Sequence, residues 1–547
     1  MAEAEHWRVV EMKVPFRRSE APRLPRNAGW LAVPALAATW PLLFVAGNNP
    51  GEFSLADLVV AALLAALSGL ACVAIAAAIT RCIAAASLGG VVLVAAMYAP
   101  LLIRQLRHGQ WLGTQAHGPV VPVLIALIVL LALVRLRAAG DRVQPALLPL
   151  TLGIATLFVL GVVQAAKSIQ RSRPSSSPGA TEEYVAAADE SLPDIYLIVL
   201  DQYATSEVTK GLFHFDNREF EDSLRALGFR IPKATWSNYP FTAASIASML
   251  DMRHVNGVAD SAGSEHSLVP LNRIIAQNTA FRLARARGYR IVFVPSSDFE
   301  GTRSHPTVDR WMGPAGVGEW IGEHATSPIA IDVAKLSVIG SGLTAARVRL
   351  GSPWRVLAPF RRLRESVDEP GPKFVFGHAM MTHQPFLFTG TCNWARARRP
   401  EYVSSYLQQI ECTNRQVLDI VARIMANRRP SVILLQSDHG TSLLGGRSLN
   451  DPRTASVAQV AERLGAFSAY RLPDGSILRD TVTPVNLLRL VFNRYLGTVL
   501  PLQPDDAWYS VVSRTYDFVP VDPRALTDTG RFSRRDAGSG ISPRGHR

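Results

Sequence analysis

The sequence predicts two parts: an N-terminal α-helical membrane domain of five spans, then an α/β domain with a mostly parallel sheet flanked by helices. Two observations support this fold class. Apolar residues of the 547-residue chain are concentrated in its first third, in stretches of about 20 residues, the length that a helix needs to cross a bilayer. Further along, short apolar runs alternate with longer amphipathic stretches, which is typical of strand–helix–strand units.

The five predicted spans lie within residues 28–166 and differ in length, the fourth being short. They are Ala28–Gly47, Leu58–Ile79, Ile83–Ile103, Pro119–Val134 and Pro145–Ala165. Lys and Arg accumulate on the cytoplasmic side of membrane proteins. The N-terminal tail, residues 1–27, and the loops predicted on its side of the membrane together carry ten Lys and Arg residues, whereas the loops on the opposite side carry two. This bias predicts a multi-pass protein of the inner or cytoplasmic membrane, with an extracytoplasmic domain after residue 166.

Much of the formal net charge of +13, namely +6, lies in the two terminal tails. The C-terminal tail, residues 523–547, ends in "RFSRRDAGSGISPRGHR" and has the composition of a disordered segment. Basic residues of a membrane protein more often set topology or contact anionic headgroups. Because the sequence also contains no nucleic-acid-binding motif, it predicts the membrane as a partner and no nucleic acid.

Four cysteines fit this topology. Cys72 and Cys82 fall in the predicted membrane domain and are expected to be free. Cys392 and Cys412 are the two in the outer part, where oxidising conditions allow a disulfide. Pairing is the favoured prediction, with two unrelated thiols as the alternative.

The outer domain follows a linker, residues 167–192, rich in Ser, Pro and Ala. Strands are predicted for "DIYLIVLD", "RIVFVP", "KFVFGH" and "SVILLQ", and helices for "EFEDSLRALGF", "TAASIASML", "TAFRLARARGY" and the long stretch before "SVILLQ". The alternation extends the domain over residues 193–522 and predicts that its strands are mostly parallel.

Three of these strands end in side chains that bind metals. The strand "DIYLIVLD" ends at Asp201, "KFVFGH" ends at His378 with His383 just beyond, and "SVILLQ" is followed by Asp438 and His439. Ligands of parallel sheets bind at the carboxyl ends of the strands, and carboxylate and imidazole are ligands of divalent ions. Taken alone, the tripeptide Asp-His-Gly could instead form a turn without binding a metal, which is the alternative interpretation. Three such endings on one rim favour a metal-dependent active site.

A candidate nucleophile lies in "SNYPFTAASIASML". Thr242 follows a proline turn at a predicted helix start. Threonine is a common N-cap, so a structural role is the alternative. The same position suits catalysis, because a helix N-terminus binds phosphate or sulfate oxygens and a threonine hydroxyl attacks once a metal or base activates it.

The motifs "IVLDQYA", "SNYPFTAASIASML", "FGHAMMTHQPF" and "SDHGT", in this order, resemble the alkaline phosphatase superfamily. The chain most resembles its membrane-anchored sulfatase-like branch, which includes lipoteichoic acid synthases and phosphoethanolamine transferases. Like this chain, those enzymes combine five spans with an extracytoplasmic catalytic domain. The resemblance covers roughly residues 192–500 and implies a lipid or lipid-linked glycan as substrate.

The resemblance also implies roles for individual residues. Asp201, Asp438 and His439 would bind the metal, and Thr242 would be both ligand and nucleophile. His383 would bind substrate or a second metal, and His378 has either that role or a structural one. The donor atoms suit Zn²⁺ or Mn²⁺, with Mg²⁺ possible but less favoured by imidazole.

Two departures from the family narrow the prediction. Formylglycine sulfatases have Cys or Ser at the nucleophile and Arg four residues on, whereas this chain has Thr242 and Ile246. Phosphoethanolamine transferases have a histidine shortly after Asp-His-Gly, and "TSLLGGRSLNDPRTASV" contains none. The sequence thus predicts a transferase of a phospho-substituent acting through Thr242. The alternatives are a hydrolase of the same fold, either a phosphodiesterase or a sulfuric ester hydrolase, and a non-catalytic envelope-binding protein.

Overall fold

The computed structural model describes most of the chain outside its two tails. The described residues are 28–49, 53–99, 120–172, 191–261, 267–296, 308–314, 316–325, 327–335, 337, 352–395, 402–444, 454–511 and 514–522. Both terminal tails, most of the predicted linker and the end of the predicted third span lie outside them.

Sixteen α-helices and eight strands lie in the described residues. The helices are α1 Val33–Asn48, α2 Leu55–Thr80, α3 Ile83–Met97, α4 Val120–Ala139, α5 Gln144–Ser172, α6 Ser206–Phe213, α7 Arg218–Ala226, α8 Thr242–Asp251, α9 Val269–Ala276, α10 Thr279–Ala286, α11 Val317–Ala325, α12 Pro328–Lys335, α13 Ser352–Glu365, α14 Tyr402–Ala426, α15 Val457–Leu464 and α16 Pro484–Tyr495. The strands are β1 Asp194–Leu200, β2 Arg290–Val294, β3 Arg310–Trp311, β4 Lys373–Ala379, β5 Ser431–Gln436, β6 Ser468–Arg471, β7 Ala507–Val511 and β8 Arg514–Val521.

The apolar N-terminal region is helical, but the five predicted spans are not confirmed. Among the described residues, three helical segments are long and apolar enough to cross a membrane: Gly29–Asn48, Leu55–Thr80 and Val123–Gln170. Helix α3 is apolar but short. The predicted fourth and fifth spans fall in one helical stretch, because the 3-10 turn Gly140–Val143 joins α4 to α5 without an extended connection.

The described chain divides into two compact units. One comprises residues 1–38, 67–96 and 117–155, and the other comprises residues 39–66, 97–116 and 156–547. Helix α5 continues to Ser172, within the stretch that the sequence assigns to the linker, since the first strong helix breaker after it is Pro174.

A six-stranded sheet with the order β3-β2-β4-β1-β5-β6 forms the centre of the second unit. All neighbours are parallel except β5 and β6. Strands β7 and β8 form a separate antiparallel pair. The expected mostly parallel sheet is therefore confirmed.

Helices cover both faces of the central strand β1, which is why it reads as a continuous apolar run. Its alternate side chains enter two different cores, with Leu197 in one and Ile198 in the other. Helices α8 and α16 contribute to the first core, and α13 and α14 to the second. Buried on both faces, β1 holds its carboxyl end rigidly at the rim.

Cys392 and Cys412 form a disulfide with an S–S distance of 2.02 Å, which joins α14 to the loop after β4. Cys72 and Cys82 are free thiols.

Candidate metal centre and active site

Asp201 is the first residue after β1 and is fully buried. Its backbone N–H donates to the carbonyl of Ala379 at 3.0 Å, and its carbonyl oxygen accepts from the Thr382 hydroxyl. The backbone is thus held to the end of β4 on both sides, and the carboxylate is fixed at the rim of the sheet.

His378 brings the second ligand atom from β4, the strand next to β1. Its Nε2 lies 3.4 Å from Oδ2 of Asp201, and its Nδ1 hydrogen-bonds the hydroxyl of Ser296 at 2.9 Å. Because Ser296 orients the ring through Nδ1, Nε2 faces the carboxylate. The histidine for which the sequence left a structural role open therefore lies at the centre of the site.

Asp438 completes a group of three ligand atoms. Single atoms of Asp201, His378 and Asp438 lie within 4.8 Å of one another, and all three residues are buried. Oδ1 of Asp438 accepts the backbone N–H groups of Gln202 at 3.2 Å and His439 at 2.8 Å. These two bonds fix the carboxyl plane, so that Oδ2 remains available to a ligand.

His439 adjoins this group and contacts the candidate nucleophile. Its Nε2 lies 3.3 Å from Oδ2 of Asp438 and 3.2 Å from Oγ1 of Thr242. Its Nδ1 donates to the carbonyl of Gly440 at 2.8 Å, which leaves a lone pair on Nε2 for a proton or a metal.

Close packing explains why the third residue of the Asp-His-Gly motif, Gly440, is a glycine. A Cβ at this position would lie 2.0 Å from the backbone carbonyl oxygen of Glu462. The backbone N–H of Gly440 donates to the Arg463 carbonyl at 2.8 Å. The loop that carries Asp438 and His439 therefore packs directly on the backbone of α15, which only glycine permits.

Thr242 is the first residue of α8, and the N-cap is Phe241 without a side-chain capping bond. The hydroxyl of Thr242 instead lies 3.4 Å from Oδ2 of Asp201 and 3.2 Å from Nε2 of His439. The side chain is half-buried. The hydroxyl of Thr242 therefore does not cap the helix, which was the structural alternative for this residue.

Arg463 is a buried cation of the site that sequence reasoning missed. It donates to the carbonyl oxygens of Pro240 and Gly440, the latter at 3.0 Å, and its Nη2 lies 3.5 Å from Nε2 of His439. The guanidinium thereby ties the Asp-His-Gly loop to the turn before Thr242. Arginine in the last turn of a helix is common, because it interacts favourably with the helix dipole, so no local signal distinguishes this one.

The two aspartates differ in protonation. Burial raises the pKa of Asp201, but the hydrogen bond from His378 and the nearby His383 outweigh burial and hold this pKa below its ordinary value. Burial and the neighbouring Asp201 carboxylate raise the pKa of Asp438 to about 7. Burial and the Arg463 charge hold the pKa of His439 well below its ordinary value, so the ring is neutral.

A divalent cation fits this donor set. Among the residues that the structure describes, Oδ1 of Asp201 and Oδ2 of Asp438 are buried without a hydrogen-bond partner, which is costly unless something else binds them. The two carboxyl groups repel each other, and a cation between them removes that repulsion. Carboxylate, imidazole and hydroxyl donors together suit Zn²⁺ or Mn²⁺.

His383 lies outside this group of three. It is half-buried and its Nδ1 hydrogen-bonds the carbonyl of Gln384 at 2.6 Å. It is close enough to Asp201 and His439 to interact with them electrostatically, at the edge of the same site. The structure thus brings together Asp201, Thr242, His378, Asp438 and His439, with His383 beside them.

Fold and site together define a class: an α/β protein with a buried group of two aspartates and a histidine that could hold a metal ion, and a threonine hydroxyl at a helix N-terminus beside it. No family model matches the chain, and no curated protein matches it.

The chain is similar to several solved structures at low sequence identity and low TM-score. The periplasmic domain of EptC from Escherichia coli, in complex with Zn, is 11% identical over 64% of this chain and 96% of that one, with a TM-score of 0.39. The lipooligosaccharide phosphoethanolamine transferase EptA from Neisseria meningitidis is 11% identical over 69% of each chain, with a TM-score of 0.37. The lipoteichoic acid synthase LtaP from Listeria monocytogenes is 10% identical over 66% of this chain and 94% of that one, with a TM-score of 0.37.

Proposed function

We propose that this protein is a membrane-anchored, metal-dependent enzyme that transfers a phospho-substituent to or from an envelope lipid or glycan through Thr242. One observation carries the proposal: the Thr242 hydroxyl lies beside a buried cluster of carboxylate and imidazole ligand atoms. The apolar N-terminal helices are the anchor, and the α/β domain lies outside the cytoplasmic membrane.

In this proposal the metal is held by Asp201, His378, Asp438 and His439, together with the Thr242 hydroxyl. When bound, a divalent ion supplies Lewis acidity that stabilises negative charge on phosphoryl oxygens and lowers the pKa of a coordinated hydroxyl. His383, at the edge of the site, is a candidate contact for the substrate.

The chain's own residues prepare the nucleophile and receive the phosphoryl group. Oδ2 of Asp201, which lies 3.4 Å from Oγ1 of Thr242, accepts the hydroxyl proton. The single lone pair on Nε2 of His439 would serve the metal. Helix α8 begins at Thr242, so its first backbone N–H groups have no partner within the helix and stabilise the non-bridging oxygens.

Transfer then proceeds in two displacements. A bond forms between Oγ1 of Thr242 and phosphorus while the bond to the leaving alcohol breaks, and the alcohol takes a proton as it leaves. An acceptor hydroxyl, or water in the hydrolytic variant, then attacks phosphorus and releases Thr242 with its proton restored.

Metal content of the purified full-length protein tests the metal centre. We expect about one equivalent of Zn or Mn by inductively coupled plasma mass spectrometry. Asp438→Asn is expected to lose the metal. Asp480→Asn, whose carboxylate pairs with Lys233 on the exposed surface, is the matched control and should retain it. Equal metal content in both variants would contradict the proposed centre.

Cleavage of bis(p-nitrophenyl) phosphate tests the nucleophile. We expect Thr242→Ala to reduce cleavage by at least about a hundredfold, and Thr242→Ser, which keeps a hydroxyl, to retain much of it. Cleavage by Thr242→Ala at the wild-type rate would exclude Thr242 as the nucleophile.

A further inference from the structure

Residues 236–241, here called the nucleophile turn, precede Thr242 and are all buried. Helix α8 begins directly after them, and its N-cap Phe241 makes no side-chain capping bond. A capping bond is worth about 1 kcal/mol to a helix start, and this start lacks one. The backbone N–H of Ser245 donates to the carbonyl of Phe241 at 3.1 Å, which ties the helix start to the turn. The position of Thr242 therefore depends on what holds the turn.

Asn238, in the middle of the nucleophile turn, is 0% exposed. Its Nδ2 donates to the carbonyl of Asp506 at 2.8 Å, and its Oδ1 accepts the backbone N–H of Val485 at 3.0 Å. Its own carbonyl accepts the backbone N–H of Trp508 at 3.0 Å. One residue thus joins the turn to the first turn of α16 and to the segment that enters β7.

Two aromatic side chains of the turn contact the same C-terminal segment, residues 505–508. The indole Nε1 of Trp236 donates to the carbonyl of Asp505 at 3.1 Å. The ring of Tyr239 stacks on the ring of Trp508, with centroids 5.4 Å apart. Three residues of the turn therefore contact a segment that lies more than 260 positions further along the chain.

The C-terminal segment is itself fixed. Oδ1 of Asp505 accepts the hydroxyl of Thr483 at 2.7 Å and Nδ2 of Asn486 at 2.8 Å, both at the start of α16. Trp508 lies in β7 and pairs with Pro520 of β8. Because α16 belongs to the same hydrophobic core as α8, the segment is a rigid support for the turn.

Helix α15 holds the other side of the turn. The backbone N–H of Ser237 donates to the carbonyl of Leu464 at 2.7 Å, and Arg463 donates to the carbonyl of Pro240. The Asp-His-Gly loop packs on this same helix through Gly440. The turn is therefore clamped between the helix that supports the metal ligands and the C-terminal segment.

This clamp sets the distances on which the proposed chemistry depends. Oγ1 of Thr242 lies 3.4 Å from Oδ2 of Asp201 and 3.2 Å from Nε2 of His439. A displacement of about 1 Å at a reacting group can cost about a hundredfold in rate. The side-chain bonds of Asn238 reach backbone groups of α16 and the C-terminal segment, so its effect on the reaction is transmitted through the turn.

We propose that Asn238 is a positioning residue for Thr242, and that residues 505–508 are the support against which it holds the nucleophile turn. The inference rests on the proposed function in taking Thr242 as the nucleophile. It adds that a segment distant in sequence, with no ligand of the metal in it, sets the rate of the chemical step.

Steady-state cleavage of bis(p-nitrophenyl) phosphate by full-length Asn238→Ala in neutral detergent tests this role. We expect kcat to fall at least about tenfold, because the hydroxyl is no longer held at the metal ligands. KM and metal content should stay within about twofold of wild type, since the proposed ligands of the metal lie outside the turn. A residue that only stabilises the fold would lower the melting temperature and leave kcat of the folded protein unchanged.

Asn493→Ala is the matched control. Asn493 is an asparagine of α16 that donates to the carbonyl of Leu500 at 2.8 Å and accepts from the Thr498 hydroxyl and the Leu500 N–H. Its loss should lower the melting temperature as well, because buried backbone groups lose their partners. Its kcat should stay within about twofold of wild type. Equal kcat in Asn238→Ala and Asn493→Ala would overturn the inference.

Trp236→Phe is a milder second variant, which decides the question if Asn238→Ala does not fold. It keeps an aromatic ring in the core and removes the indole N–H that donates to Asp505. We expect kcat to fall at least about threefold at unchanged KM. A kcat equal to that of Asn493→Ala would overturn the inference.

Hydrogen–deuterium exchange of the peptide that covers α8 measures the same role without turnover. The Ser245 amide should exchange at least about tenfold faster in Asn238→Ala than in Asn493→Ala, because the helix start is released. Equal exchange in the two variants would overturn the inference and leave the Thr242 chemistry standing. Full cleavage by Thr242→Ala, with exchange that depends on Asn238, would remove the proposed nucleophile and leave the support of the turn in place.

Discussion

Replacement of Asp438 by asparagine is expected to stabilise the metal-free protein while it abolishes metal binding. The carboxyl is fully buried beside Asp201, and these surroundings raise its pKa from 3.8 to about 7. Ionising this group without a metal is therefore costly. Asparagine has the same shape and keeps the oxygen that accepts from Gln202 and His439, but it carries no charge.

The magnitude follows from the pKa. A rise from 3.8 to about 7 corresponds to about 4 kcal/mol. Because the folded-state pKa of this acid is raised, the cost is absent below pH 3.8, grows as the pH rises, and is complete above about pH 7. Asp438→Asn should thus stabilise the chelated protein by about 4 kcal/mol at pH 8 and by about 1.5 kcal/mol at pH 5.

Thermal unfolding of the full-length protein with excess chelator, at pH 5 and at pH 8, measures this difference. The melting temperature of Asp438→Asn should exceed that of wild type by several degrees at pH 8, and by clearly less at pH 5. Saturating Zn²⁺ should reverse the order, since only wild type gains the free energy of metal binding. A variant less stable than wild type in chelator at pH 8 would refute the reasoning.

Two further substitutions test the loop around the metal centre. Gly440→Ala forces Cβ against the Glu462 carbonyl oxygen, 2.0 Å away, and we expect it to lower the free energy of unfolding by about 1–3 kcal/mol. Gly257→Ala, which has open space around its Cβ, is the control and should change the free energy of unfolding by less than about 0.5 kcal/mol. Glu462 accepts the backbone N–H groups of Leu443 and Leu444, and burial raises its pKa from 4.5 to about 7. Its ionisation therefore costs nothing below pH 4.5 and about 3 kcal/mol above pH 7. Glu462→Gln removes that cost but loses one hydrogen-bond acceptor, which is worth about 1 kcal/mol. Thermal unfolding should therefore show the variant to be less stable than wild type at pH 4.5 and more stable than wild type at pH 8. The same change in stability at both pH values would exclude the buried charge as the cause.

The strands and the residues at their ends were predictable, because buried parallel strands leave a continuous apolar run in the sequence. The runs before Asp201 and Asp438 and the one containing His378 correspond to β1, β5 and β4. Since β1 lies between the other two, parallel pairing alone brings these ends to one rim.

What the sequence could not supply are contacts between distant segments. Nothing local to Arg463 indicates that it is buried beside His439, and nothing near Ser296 indicates its bond to His378. Both contacts exist only after folding, and each joins segments far apart in the chain.

The predicted number of spans is not confirmed, since the residues that the structure describes contain three helical segments long and apolar enough to cross a membrane. The hydropathy of the sequence indicates two separate apolar stretches on either side of Gly140, whereas in the structure a 3-10 turn at this position connects two helices directly. Backbone geometry at such a junction depends on packing, which composition does not encode.

Peptide mass spectrometry of the segment containing Thr242, from full-length protein isolated from its own membrane, tests the central claim most directly. We predict a phospho-substituent on Thr242 that is absent when Asp201 is replaced by asparagine. An unmodified Thr242 together with the same adduct on a different residue would contradict the proposed nucleophile.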